Sequence, residues 1–243
     1  MTQNEDGRRD KAAGIWARDP YDWYVEPEWA SAALFAREPF EGAVLDPACG
    51  LGRIVIEARR AGHEAAGCDI VDRSAACTVI ADFFADDWLG RDTGAGISNI
   101  VCNPPFGRSD DFVRLALMRT KNKVALLLPA PWHFGSKRAK WLEDTPLRRV
   151  LALTPRPSMP PGAVILAGEK PGGGTKDFAW YVWEHGYVGP WQGGWLHRDA
   201  ALSALSARRS IGQSGQSGRN RRQRREPFSR LTFRAYPVDA YRY

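Results

Sequence analysis

Apolar residues in this chain cluster into short runs that polar or glycine-containing turns separate. Runs of this length, bounded by turn residues, are typical of strands buried in a sheet. A weaker segment of the same kind lies next to Asp82. With that segment, the pattern predicts seven strands, of which the other six are GAVLD, HEAAGCDIV, ISNIVC, KVALLLPAPW, LRRVLALTP and DFAWYVWEHG.

Segments with apolar residues every three or four positions lie between several of these runs and predict helices. RIVIEARRAG predicts a helix that ends at Gly62, and DDFVRLALMRTK one that Ser109 or Asp110 caps. SKRAKWLEDT predicts a third helix. Alternating strands and helices indicate an α/β fold with a doubly wound, mostly parallel sheet that is covered on both faces. A Pro/Gly-rich loop alone joins the last two strands, so we expect the last strand of the seven to be antiparallel.

The same pattern divides the 243 residues into three parts. Residues 1–19 are polar, residues 20–188 carry the predicted strands and helices, and residues 189–243 are first aromatic and then Arg-rich. A domain of the middle part's size can bury a good core by itself. From residue 203 onward the apolar periodicity is lost, which predicts a tail that is disordered when unbound.

The formal charge of +6 is unevenly distributed along the chain. Residues 198–243 contain 11 arginines against three acidic residues, a balance of +8, which leaves −2 for the remainder. Clustered arginines attract phosphates without reading a base sequence. The tail therefore predicts contact with nucleic acid through Arg219, Arg221, Arg222, Arg224 and Arg225.

Several classes of protein are not expected from this composition. The N-terminus MTQNEDGRRDKAAG lacks the apolar centre of a secretory signal, and the longest apolar run is too short to span a bilayer. We therefore expect a cytoplasmic protein with no membrane partner. The four cysteines form no CxxC pair and have no histidines at metal spacing, so we expect neither a metal site nor a disulfide framework.

Small and acidic residues follow the ends of three predicted strands. In LDPACGLGR, an acidic residue is followed by small residues and two glycines, which let the backbone approach a ligand closely. Asp69 ends the second strand, where a carboxylate can hold ribose hydroxyls in a nucleotide-type site. Asp82 and Phe83 offer an acceptor for the edge of an adenine ring and an aromatic face for packing. Each feature also occurs in ordinary turns, so none of them identifies a ligand alone.

The strand ISNIVC runs directly into Asn103-Pro104-Pro105-Phe106. Asn103 brings an acceptor oxygen and the Pro104 carbonyl brings a second one, which together match the two donors of an NH₂ group. Pro105 and its neighbour keep the loop rigid, and Phe106 can stack on the ring that carries the amine. Four residues in this order at a strand end favour a binding site over a simple turn.

Taken in order, DPACGLGR, CDI, ADFF and NPPF resemble the motif set of S-adenosylmethionine-dependent DNA adenine N6-methyltransferases, in particular their compact phage and prophage members. YDWYVEPEWASAAL is similar to the N-terminal Tyr-x-Thr-Pro motif of that family. Tyr24 and Pro27 match it, whereas Glu26 stands where threonine is expected. RPSM followed by TKDFAWYVWEHG is similar to the strand pair that closes the sheet of these class I methyltransferases. The resemblance covers roughly residues 20–188, which it identifies as a methyltransferase catalytic domain.

The resemblance implies S-adenosylmethionine as cofactor and DNA as partner, in a bacterium or a phage-infected host cell. It implies that Asn103 and Pro104 bind the target amine and that Phe106 stacks on a base flipped out of the duplex. It also implies a set of residues that contact the cofactor, namely Tyr24, Pro27, Asp46, Pro47, Ala48, Cys49, Gly50, Gly52, Asp69, Ile70, Asp82 and Phe83.

Three interpretations of the function remain open at this point. The first is methyl transfer to N6 of adenine in DNA. The second is the same chemistry on RNA adenine or on a protein glutamine amide, because those enzymes also use an Asn-Pro-Pro-aromatic motif. The third is a DNA-binding protein with an inactive methyltransferase fold. Methylation at cytosine C5 is excluded, since that family places its nucleophilic cysteine after a proline and no cysteine here follows one.

Overall fold

A single sheet with helices on both faces forms the body of the molecule. The computed structural model describes residues 19–85 and 97–201. Within them, the strands are β1 (Val44–Asp46), β2 (Ala65–Asp69), β3 (Cys77–Ile80), β4 (Ile97–Cys102), β5 (Thr120–Pro129), β6 (Leu147–Thr154), β7 (Phe178–Glu184) and β8 (Gln192–His197). The helices are α1 (Glu28–Arg37), α2 (Arg53–Arg60), α3 (Ser109–Arg119), α4 (Ser136–Leu142) and α5 (Gly162–Leu166). Short 3₁₀ turns, Phe106–Arg108 and Ala130–Phe134, follow β4 and β5.

The strands lie in the order β3-β2-β1-β4-β5-β7-β6-β8. All neighbours from β3 to β5 are parallel, β7 is antiparallel to both β5 and β6, and β8 is parallel to β6. The predicted α/β class with a doubly wound, mostly parallel sheet is therefore confirmed. The last two predicted strands, which correspond to β6 and β7, pair antiparallel as expected. The segment between them is not a loop alone, however, because it contains the short helix α5.

Two apolar layers pack on opposite faces of the sheet. Helices α1 and α2 cover one face and helices α3 and α4 the other. Strand β7 supplies large buried side chains to both layers. Trp180 donates from Nε1 to the Ala30 carbonyl of α1 at 3.0 Å, and Trp183, on the opposite face, donates to Thr145 Oγ1 at 3.2 Å. These indole N–H groups are buried and paired, so they tie the helical layers to the sheet.

The sheet is larger than the seven strands predicted. Strand β8 lies beyond residue 188 and adds an eighth, so that the antiparallel strand β7 is not the last one in the chain. Two adjacent glycines and the 69% exposed Trp195 give β8 a weak apolar pattern, which is why the prediction missed it. Leu196 is the buried residue that anchors the strand on the core.

The start of helix α3 also differs from the prediction. Neither Ser109 nor Asp110 caps the helix, which begins at Ser109 and is preceded by Arg108 without a side-chain cap. Trp132 instead donates from Nε1 to Ser109 Oγ and to Asp110 Oδ1, both at 3.1 Å, and Arg138 pairs with Asp110 at 2.8 Å. The two side chains therefore tie α3 to the turn that follows β5.

Candidate functional site

The turn between β1 and α2 has a backbone that only glycine adopts easily at two positions. Gly50 and Gly52 have φ values of +48° and +74°, in the left-handed region. Both are also tightly packed: a Cβ on Gly50 would lie 2.8 Å from Trp23 Nε1, and one on Gly52 would lie 2.2 Å from the Cβ of Ala76. The sequence pattern DPACGLG thus folds into a turn with no room for side chains at these positions.

Asp69, at the end of β2, holds this turn against the sheet. Its Oδ2 accepts the Gly50 N–H at 2.8 Å, and its Oδ1 accepts the Val71 N–H at 3.1 Å and Arg73 Nη1 at 2.6 Å. The Arg73 guanidinium also lies over the Trp23 ring, 4.5 Å from its centre. The predicted ribose-binding carboxylate therefore already accepts three hydrogen bonds from this chain. Two come from backbone N–H groups and one from the side chain of Arg73.

Two further carboxyl groups are buried beside the turn. Asp46 is 1% exposed and Glu26 is 6% exposed. Burial raises the pKa of Glu26 and raises the pKa of Asp46 well above its usual value, and the neighbouring Glu26 and Asp69 add to the effect on Asp46. Both carboxyl groups line the cavity described below, where they are shielded from solvent.

Asn103, directly after β4, has one side of its amide bound and the other side unbound. Its Nδ2 donates to the Tyr24 carbonyl at 2.7 Å and to Glu26 Oε2 at 3.0 Å. Its Oδ1 is buried and has no hydrogen-bond partner among the described residues. A buried acceptor without a partner is costly, so the geometry leaves this oxygen available for a donor from a ligand.

The two prolines and the phenylalanine that follow Asn103 occupy different places. Pro105 contributes to the wall of the cavity described below, whereas the side chain of Pro104 is buried and does not line it. Phe106 is half-buried, with its ring centre 5.9 Å from that of Tyr24 and 5.6 Å from that of Phe178. The ring therefore lies beside the cavity in an aromatic group rather than in its wall.

Aromatic rings form the opposite end of the site, after β3. Phe83 is 2% exposed and packs 4.3 Å from Phe112, centre to centre. The neighbouring Phe84 lies under the Arg108 guanidinium at 3.5 Å. Asp82 accepts the Phe84 N–H through Oδ1 at 2.9 Å, so the carboxylate is fixed at the start of this aromatic segment.

These features surround one cavity with a volume of about 300 Å³, within the usual range for small-molecule sites. It opens at the edge of the sheet where the carboxyl ends of β1, β2 and β4 meet, as expected for a parallel sheet. Twelve residues in the cavity wall were predicted from the sequence: Tyr24, Asp46, Pro47, Ala48, Cys49, Gly50, Asp69, Ile70, Asp82, Phe83, Asn103 and Pro105. Four predicted residues do not line it, namely Pro27, Gly52, Pro104 and Phe106.

Trp23 is a wall residue that the sequence reasoning missed. Its Nε1 is buried and has no hydrogen-bond partner in the described part of the chain. Gly162 presses on the ring, since a Cβ there would lie 2.1–2.3 Å from three of its atoms. Backbone hydrogen bonds from Gly162 N to Trp23 O and from Val25 N to Pro160 O, both 2.9 Å, hold the segment in place. In the sequence, only its position next to Tyr24 could have indicated that Trp23 lies in the cavity wall.

Glu26, Arg53, Arg73 and Arg108 were likewise not predicted as cavity residues, although all four line it. The five tail arginines, Arg219, Arg221, Arg222, Arg224 and Arg225, lie outside the described residues. In the part that the structure describes, no cluster of His, Cys, Asp and Glu side chains has the arrangement of a metal site. Over the same residues, no helix combines the length and apolar character needed to cross a membrane.

Comparison with known proteins gives similarity at the level of the fold. No family model and no curated protein sequence matches the chain. Among solved structures, the modification subunit of a candidate type I restriction enzyme from Vibrio vulnificus YJ016 is similar, with a TM-score of 0.46 and 14% identity over 66% of this chain. The match spans 44% of that subunit, less than half its length.

Two further structures are similar over most of their own length. A candidate RNA methyltransferase from Pyrococcus horikoshii has a TM-score of 0.44 and 14% identity, over 64% of this chain and 83% of that one. A candidate class I S-adenosylmethionine-dependent methyltransferase from Listeria monocytogenes has a TM-score of 0.43 and 12% identity, over 78% and 70%.

Proposed function

We propose that this chain transfers the methyl group of S-adenosylmethionine to the N6 amine of adenine in DNA. The observation that carries the proposal is the Asn103 amide, whose Oδ1 is buried and unpartnered beside a cavity while its Nδ2 is bound on both N–H groups. A buried acceptor with a fixed direction matches a donor on the ligand. An exocyclic NH₂ on a planar ring provides such a donor.

The cavity residues fit the proposed cofactor in three respects. The Trp23 indole, which packs closely against Gly50, carries an unpartnered N–H donor suited to a carboxylate. The buried carboxyl group of Asp46, when ionised, would favour the positive charge of a sulfonium or an ammonium group. At the far end, Asp82 and the Phe83 segment suit an adenine ring. These residues would hold the cofactor, with Asp69 available to a ribose if Arg73 moves aside.

Catalysis by this chain would consist mainly of positioning. S-adenosylmethionine supplies a methyl group whose carbon bonds to nitrogen as its bond to sulfur breaks. Asn103 Oδ1 and the Pro104 carbonyl would accept hydrogen bonds from the two N–H groups of the amine and so direct the nitrogen lone pair toward that carbon. The methylated nitrogen would then release its extra proton to water. Phe106 would stack on the base, which must leave the duplex to reach the cavity. No covalent bond to the protein is needed.

The DNA contact is proposed from charge. The arginines of residues 219–225 would bind phosphates and contribute affinity without base specificity. Binding of this kind weakens steeply as the salt concentration rises. The same positive charge would also attract RNA, so the nature of the acceptor is decided by the product formed.

A labelled-methyl assay tests the proposed function. The protein is incubated with methyl-labelled S-adenosylmethionine and, in parallel, double-stranded DNA, single-stranded DNA, RNA and a glutamine-containing protein. We expect label in DNA, which nucleoside chromatography identifies as N6-methyladenine. Label confined to RNA or protein would assign the chemistry to another acceptor. No label in any acceptor would overturn the proposal, and calorimetry without cofactor binding would favour an inactive fold.

Trp23→Phe tests the fit of the cofactor to the cavity. The substitution keeps a ring against Gly162 and removes only the unpartnered N–H. Loss of one hydrogen bond to a charged group should raise the Kd for S-adenosylhomocysteine by about 10- to 100-fold, as measured by calorimetry. Trp180→Phe is the matched control, because that indole donates to Ala30 within the core and not to the cavity. An unchanged Kd in Trp23→Phe would contradict the assignment of this donor.

A further inference from the structure

Glu26 occupies the position at which the sequence resemblance led us to expect threonine, and it makes a specific contact there. Its Oε2 accepts from Asn103 Nδ2 at 3.0 Å across 77 residues of sequence. The Tyr24 carbonyl accepts from the same nitrogen at 2.7 Å. The NH₂ side of the Asn103 amide therefore faces two acceptors, and one of them is an acidic side chain.

The position of Glu26 is itself fixed by the surrounding structure. The residue is 6% exposed, so its carboxyl group has little freedom to reorient into solvent. Its backbone carbonyl accepts from Arg53 Nη1 of α2 at 2.6 Å. Glu26 also lines the cavity into which Asn103 points. Glu26 is therefore a buried residue that the surrounding structure holds in the cavity wall.

An asparagine amide can bind in two orientations that exchange its oxygen and nitrogen. In the alternative orientation, Asn103 Oδ1 would face the Tyr24 carbonyl and the Glu26 carboxylate, so that acceptors would oppose acceptors. The NH₂ group would then point into the cavity, where it could not accept from an amine. An ionised Glu26 disfavours this orientation more strongly than a neutral side chain would, because charge-assisted hydrogen bonds are stronger than neutral ones.

We infer that Glu26 is a positioning residue that locks Asn103 with its acceptor oxygen directed at the amine of the methyl acceptor. The inference rests on the proposed function for its catalytic meaning. The orientation of the Asn103 side chain, however, is a property of the protein alone and can be observed without any reaction. Glu26 acts through Asn103 and does not itself need to touch the substrate.

The charge on Glu26 makes this device dependent on pH. Burial raises the pKa of Glu26, while its backbone, Asn103 and Arg53 lower it by smaller amounts. Other ionisable groups that interact with it are Asp46 at the end of β1 and Cys102 at the end of β4, and burial raises the pKa of both. Protonation of Glu26 weakens the lock, so kcat should fall as the pH drops through the raised pKa.

Glu26→Gln removes the charge and keeps the shape of the side chain. We expect kcat to fall by about 10- to 100-fold, as for loss of a charge-assisted hydrogen bond. The Kd for S-adenosylhomocysteine should stay within about threefold of the wild-type value, since the inference concerns the acceptor side. The part of the acidic fall in kcat that comes from Glu26 should disappear in the variant. Glu26→Asp, which restores a carboxylate, should recover part of the pH dependence.

Glu38→Gln is the matched control for loss of a buried acid. Glu38 is 2% exposed and pairs with Arg149 at 2.9 Å and Lys123 at 3.6 Å, outside the cavity wall. This variant should be less stable but should keep the wild-type pH profile of kcat. If it changed that profile as Glu26→Gln does, the effect would reflect general destabilisation and the inference would be overturned.

A second readout is independent of activity. The side-chain NH₂ resonances of Asn103, identified in a ¹⁵N correlation spectrum by their absence in Asn103→Ala, should shift with pH in the wild-type protein. In Glu26→Gln this titration should be absent. Resonances that do not titrate, together with an unchanged kcat profile in Glu26→Gln, would overturn the inference even where wild-type protein methylates DNA. If the Asn103 resonances of the wild-type protein titrated but no methylated product formed, the result would contradict only the proposed function.

Discussion

Asn103→Ala is expected to lower the rate of methyl transfer by at least about 1,000-fold while leaving cofactor affinity within about threefold. The substitution removes Asn103 Oδ1, a buried oxygen in the cavity wall that has no hydrogen-bond partner among the described residues, and with it the acceptor that would direct the amine. It also leaves the Tyr24 carbonyl and Glu26 without the donors they share. Single-turnover assays with labelled S-adenosylmethionine measure the rate, and calorimetry with S-adenosylhomocysteine measures the affinity.

Asn99→Ala provides the control in β4, the strand that leads into Asn103. Asn99 is fully buried, and its Nδ2 donates to the Glu41 and Ala43 carbonyls at 2.7 and 3.1 Å. It is absent from the cavity wall. Its loss should therefore lower the melting temperature and spare the rate in protein that stays folded. Equal rate losses in Asn99→Ala and Asn103→Ala would show that the effect comes from the strand and not from the acceptor oxygen.

Gly50→Val is expected to raise the Kd for the cofactor by on the order of 100-fold or more, because it fills the close approach at the turn. Its Cβ would meet Trp23 Nε1 at 2.8 Å, so the indole that closes the cavity must move. A β-branched residue at φ +48° is also strained, by about 1–3 kcal/mol. The Kd comes from calorimetry and the strain from urea unfolding.

Gly62→Val separates these two effects. Gly62 has φ +93° at the end of helix α2, and a Cβ there would meet nothing within 4 Å. The variant should show a similar loss in the free energy of unfolding but keep its affinity for the cofactor. If Gly50→Val lost stability alone, with an unchanged Kd, the glycine turn would have no part in binding.

The features that could be predicted from the sequence are those that neighbouring residues in the chain determine. The β1 turn and the Asn103 loop could be predicted because glycine and proline restrict the backbone where they stand. The same holds for the helix that ends before Gly62. Strand β8 was missed because Gly193 and Gly194 carry no apolar signal, and it is held by pairing with β6.

Trp23 and Glu26 could not have been predicted as site residues for a related reason. The contacts that define their roles come from residues far along the chain, Gly162 for Trp23 and Asn103 for Glu26. Phe106 illustrates the reverse case, since its motif predicted a stacking surface and the fold surrounds its ring with Tyr24 and Phe178. Local sequence motifs indicate candidate residues, and packing between residues far apart in the chain determines which of them face the cavity.

The bridge between Tyr24 and Pro161 has a consequence for the chain while it is being synthesised. The glycine turn and the Asn103 loop leave the ribosome well before residues 160–162, which press Trp23 into the wall and bond to residues 23 and 25. Until that segment emerges, the nascent chain contains the motifs without the completed cavity. The complete cavity therefore forms only after most of the sheet has been translated.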